Sequence, residues 1–218
     1  MKVKEAAKML ISMDSKRNKK NMVKSLKRIL QRAGKISSCI YITDKVENML
    51  KKIGYIKEVK CVKNEDNINT YYSIMLYGEV LDIVLLKVKD NRYKLVPAGK
   101  FVEEIGNTVF GYCESNGYVT ATFRGKSCKL EDVVDNIVNG NEIESGTCIH
   151  HKWFRFCALP NTIVRLTTER HKNLHSLIGN YARNHVAFIE NVEEFELLIN
   201  ETIVHNEDLK EKMFSSEF

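Results

Sequence analysis

No stretch of this 218-residue chain comes near the ~20 consecutive apolar residues that a helix needs to cross a bilayer. No membrane segment is expected. Lys2, Lys4 and Lys8 open the chain, but the apolar stretch after them is broken at once by Ser12, Asp14 and Lys16-Arg17, so no secretory signal is read and a cytoplasmic setting is expected. Cysteine occurs six times and never as C-x-x-C, which excludes a zinc ribbon or knuckle and leaves packed free thiols as the expectation. There is no Gly-rich phosphate loop, no dinucleotide fingerprint, no G-x-S-x-G elbow and no internal repeat. Nucleotide cofactors are therefore not expected.

Acidic residues are nearly missing from the first 35 positions. Twelve Lys and Arg stand there against Glu5 and Asp14, so the segment carries 12 − 2 = +10 while the remainder carries 22 − 26 = −4, giving the +6 of the whole chain. Apolar residues recur at helical spacing on either side of the cluster Lys16, Arg17, Lys19 and Lys20. Two basic amphipathic helices could clamp a duplex through its phosphates; a solvated helical hairpin fits the same pattern. A basic arm on a mildly acidic body is the charge distribution expected of a DNA-binding protein.

Beyond the arm, the fold class expected is α+β, with small antiparallel β segments. Residues 36–96 read as a helix over 44–53 ended by Gly54, then strands over 55–62, 71–77, 80–88 and 93–96. Residues 97–145 read as three short strands with turns at Asn116-Gly117 and Arg124-Gly125, then a helix over 131–138 stopped by Asn139-Gly140. Tyr118, Arg124 and Lys126 on that small sheet suit contact with a nucleic-acid backbone. Residues 146–218 form the last division, with a polar loop over 180–185, a helix over 192–204 and a fraying acidic tail.

Histidine is also scarce, and four of the six, His150, His151, His171 and His175, fall in one window. Around Ile149 and over 162–166 the chain reads as two strands, and from Thr167, a plausible N-cap, to Gly179 as a helix. On that helix His171 and His175 stand four apart and offer two nitrogens to one metal ion. Neighbours on a strand point to opposite sides, so His150 and His151 are expected to have different tasks.

The window resembles the HNH (ββα-metal) endonucleases, through His150-His151, then Pro160-Asn161-Thr162-Ile163-Val164-Arg165-Leu166-Thr167-Thr168-Glu169-Arg170-His171, and His175. A looser likeness to phage and homing-type members covers residues 116–140. The resemblance implies a C-terminal ββα-metal module in which His150, His171 and His175 hold one divalent metal ion and His151 is the general base for DNA hydrolysis. The family's central Asn falls on Thr162, with Asn161 one residue early, and either fills the loop-bracing role. Arg165 and Arg170 are near enough in sequence to steady a phosphate. Nitrogen ligands suit Zn, Mn, Ni or Co and suit Mg less. The alternative is a non-enzymatic DNA-binding protein with a structural metal or none.

Overall fold

A computed structural model describes residues 37–152, 155–178 and 185–215. Over them the chain is mixed α+β, with three β-sheets and five helices. The basic arm lies outside the described residues.

Strand β1 (Ser37–Ile42) leads into helix α1 (Asp44–Lys52), whose Thr43 hydroxyl accepts from the Val46 N–H and satisfies one free donor of the first turn. Four antiparallel strands follow: β2 (Ile56–Lys63), β3 (Ile68–Leu76), β4 (Glu79–Lys89) and β5 (Arg92–Pro97). Between β3 and β4, Tyr77 and Gly78 both take positive φ (54° and 84°), the twist that a two-residue hairpin requires. The sheet order is β11-β1-β5-β4-β3-β2, with β11 (His185–Ile189) parallel to β1.

Alternation along β5 sends side chains into two cores. Tyr93 and Leu95 join Val46 and Leu50 of α1 and Phe195, Leu198 and Ile199 of helix α5 (Val192–Ser215) in the first. Val96 joins the second, on the opposite face of the sheet, with residues of helix α2 (Lys100–Glu104), strands β6 (Gly111–Tyr112), β7 (Val119–Phe123) and β8 (Lys126–Lys129), and helix α3 (Leu130–Asn139). Gly140 ends α3 in the left-handed region at φ 73°. Ile149 and Ile163 of a two-stranded hairpin, β9 (Thr147–His151) and β10 (Ile163–Thr167), complete this core. Helix α4 (Thr168–Ile178) follows β10 directly, capped by Thr167, whose hydroxyl accepts from the Arg170 N–H.

Two stretches depart from the sequence expectation. His185, expected in a loop, begins β11, whose five residues lie along β1 and whose Ile189 enters the first core. The last helix runs past Val204 to Ser215, because no Gly or Pro interrupts it. Within residues 146–218, β9 and β10 contribute Ile149 and Ile163 to the second core, and β11 and α5 contribute Ile189, Phe195, Leu198 and Ile199 to the first.

Candidate metal centre

Five residue pairs fix the register of the hairpin, with His151 opposite Ile163, His150 opposite Val164 and Ile149 opposite Arg165. Because side chains alternate, Cys148, His150, Val164 and Leu166 share one face, and Ile149, His151, Ile163 and Arg165 share the other. Helix α4 lies on the first face and α3 on the second. The two adjacent histidines are therefore turned to different helices.

On the α4 face, His150 meets His171 and His175. Their ring centroids are 5.5, 5.3 and 4.5 Å apart, and one nitrogen from each lies within 4.8 Å of the others. The Nε2 atoms of His171 and His175 are 3.1 Å apart. Metal–nitrogen bonds of roughly 2.0–2.1 Å at tetrahedral or octahedral angles put neighbouring ligand nitrogens roughly 3 Å apart, so the donor set fits a single divalent ion. Burial, then the neighbouring imidazoles, push the His150 pKa down to about 4, and burial followed by His175 and Lys129 also lowers that of His171. Both are neutral at pH 7, the form that ligates. All three rings are half-buried, which leaves the cluster reachable from solvent.

On the α3 face, His151 enters a set of ionisable groups inside the second core. Its Nε2 lies 3.2 Å from Glu131 Oε1, and Lys94 Nζ is 4.0 Å from the same oxygen. The side chains of His151, Glu131 and Lys94 are 9 %, 1 % and 2 % exposed. Burial, partly opposed by Glu131, lowers the His151 pKa; burial alone would raise that of Glu131, but the His151 hydrogen bond and the His151 and Lys94 charges hold it at about 2. Whether or not His151 carries a charge, its contact with an ionised Glu131 needs a proton on Nε2, and Lys94 adds positive charge beside the same carboxylate oxygen. Lys94 Nζ also donates to the Arg155 carbonyl at 2.6 Å, and Leu95 exchanges backbone bonds with Phe156 and Ala158, so the β9–β10 loop is laced to the middle of the large sheet.

The loop is braced by Thr162, which is fully buried. Its hydroxyl accepts from the Leu159 N–H at 3.1 Å and donates to the Leu159 carbonyl at 2.9 Å, while its own carbonyl receives Lys152 N–H at 2.7 Å, directly after His151. Asn161 is half-buried and lines an open cleft of about 610 Å³ with Lys152, Arg165 and Arg170.

The residues expected to touch nucleic acid differ in exposure and in partners. Lys16, Arg17, Lys19 and Lys20 lie outside the described residues. Arg165 is 13 % exposed and bound to Asp135 Oδ2 at 2.8 Å, Asp132 Oδ1 at 3.2 Å and the Thr147 hydroxyl at 3.0 Å, so its fork is already engaged. Arg170 is exposed. Arg124 and Lys126 are exposed too; Arg124 bonds Asn136 and Lys126 the Ile143 carbonyl. Tyr118 carries Lys129 Nζ and Arg155 Cζ at 4.0 and 4.1 Å from its ring centroid.

Sequence reasoning missed Glu131, Lys94, Lys129 and Arg155. Only Lys94 had a signal, a lone charge within the apolar run Tyr93-Lys94-Leu95-Val96. Among the described residues no helix is long and apolar enough to cross a membrane, and Cys61, Cys113, Cys128, Cys148 and Cys157 are free. No protein-family model, curated protein or solved structure matches the chain.

Proposed function

We propose that the chain is a metal-dependent endonuclease that hydrolyses DNA phosphodiester bonds in the manner of the HNH enzymes it resembles. The observation that carries this reading is the convergence of His150, His171 and His175 on one point with neither carboxylate nor thiolate among them. A divalent ion held by these three would offset the negative charge that develops on the phosphate and on the departing oxygen. An all-nitrogen set favours Zn, Mn, Co or Ni over Mg. With its Nε2 facing Glu131, His151 keeps the Nδ1 lone pair as the nitrogen able to take a proton from water. Lys129 and Arg155 have no carboxylate within ion-pair distance among the described residues, and Lys129 lies close enough to lower the His171 pKa. These cations suit a phosphate backbone.

One observation favours a second reading, a DNA-binding protein with a structural metal: the His151 side chain is only 9 % exposed. Under it, His151 is a core brace and nothing more. Supercoiled plasmid separates the two. The full-length protein is expected to nick it when Mn²⁺, Ni²⁺ or Zn²⁺ is supplied and to stop when the ion is chelated. A His171→Ala/His175→Ala variant is expected to lose both the cutting and the calorimetric heat of metal binding. Plasmid left intact by a wild type that binds metal and DNA supports the second reading, and full-strength metal binding in the variant removes the ligand set.

A further inference from the structure

Lys94, Glu131 and His151 come from β5, α3 and β9 and meet inside the second core. Taking an ion out of water costs several kcal/mol even after relaxation, and apolar side chains of similar size fill such a place without that cost. Local structure does not explain Glu131. The cap of α3 is made by its neighbour Asp132, which accepts from the Lys129 N–H at 3.2 Å, and Glu131 Oε2 is buried with no hydrogen-bond partner among the described residues. The only side-chain hydrogen bond of this carboxylate among the described residues is the one between Oε1 and His151. Its place in the first turn of α3, where the helix dipole favours negative charge, helps keep it ionised.

We propose that Glu131, held by Lys94, is a positioning residue for His151: it fixes the tautomer protonated at Nε2 and so leaves Nδ1 as the proton acceptor. An ionised carboxylate has no proton to give, so the 3.2 Å contact requires Nε2–H as donor. The other tautomer would set two lone pairs against each other inside a core. The strand end after His151 is pinned as well, through the Lys152 N–H on the Thr162 carbonyl, so neither the ring nor its backbone is free to turn. The inference rests on the nuclease reading for its purpose, though the tautomer itself does not depend on activity.

Two measurements test it on the full-length, metal-loaded protein. Long-range ¹H–¹⁵N spectra of histidine-labelled wild type, assigned with His151→Gln, are expected to give His151 as a single neutral form protonated at Nε2. The double variant Lys94→Met/Glu131→Leu removes both charges together, which protects the fold. It is expected to show His151 as a mixture of tautomers, with kcat on plasmid lowered about 10- to 100-fold while KM and the metal dissociation constant hold within about twofold. A wild-type His151 protonated at Nδ1 overturns the inference, and that spectrum decides even where the variant does not fold. Wild-type kcat in a folded variant overturns it too and leaves the nuclease reading standing. A wild type protonated at Nε2 that cuts nothing with any divalent ion overturns the nuclease reading and the positioning role together.

Discussion

Glu47 has 4 % of its surface exposed, yet four donors converge on its carboxylate: Lys51 and Tyr72 on Oε1, Lys87 and Tyr93 on Oε2. Burial alone would raise its pKa; the four hydrogen bonds outweigh it and bring the value from 4.5 to about 2. A carboxyl depressed in the folded state stabilises fully above its unfolded value and loses that contribution as pH falls through the folded one. The window is therefore pH 4.5 down to 2. The contribution is at most about 3 kcal/mol, and solvent screening at Lys51 and Lys87 reduces it. Thermal melts are expected to show the wild-type Tm falling through this window more steeply than that of Glu47→Gln; parallel curves would mean that the four bonds carry no linkage. Residues of this kind are hard to read from sequence. His171 and His175 were legible because four positions on a helix make one face, whereas Glu131 and His151 are 20 positions apart and no period relates them.

At the scale of elements, the hairpin that carries the histidines is clamped between two helices, and one arginine supplies much of the clamp. Arg165 reaches from β10 to Asp132 and Asp135 on α3, and its Nη2 is buried without a well-formed hydrogen bond. Asp135 is 1 % exposed and also accepts from Asn139 and Asn141. Asp135→Ala leaves the guanidinium partly uncompensated and is expected to destabilise the protein by about 2–4 kcal/mol. Urea unfolding checks this through a lower midpoint at unchanged slope, and an unmoved midpoint would mean that the arginine relaxes to solvent. Helix α1, strands β2 to β5 and the stop of α3 at Gly140 were legible because alternation, helical spacing and glycine act within a few residues. Strands β1 and β11 were not read as strands. Each is short, no turn joins them, and their pairing is a property of the assembled sheet.

For the whole molecule, charge divides more sharply than structure does. The first 35 residues carry +10 and the remainder −4, so if DNA is the partner the arm supplies most of the counterion release on binding. Deleting residues 1–35 is expected to leave a folded body whose DNA affinity is weaker and whose log K against log salt is flatter by about 0.9 for each phosphate that the arm neutralises. An unchanged slope excludes the arm from the interface. If His150, His171 and His175 hold a metal ion, the truncated protein is expected to keep the wild-type metal affinity, since none of the three lies in the arm.

The parallel pairing of β1 with β11 also sets a timetable. The antiparallel run from β2 to β5 can close as soon as it is made, but the outer side of β1 waits for residues that follow His185 in the chain. At ~5–20 residues per second that interval is on the order of ten seconds on the ribosome. Throughout it a bare strand edge and the unfinished face later covered by α5 stand open to other chains, so the nascent protein is most prone to misassociation before β11 and α5 are translated.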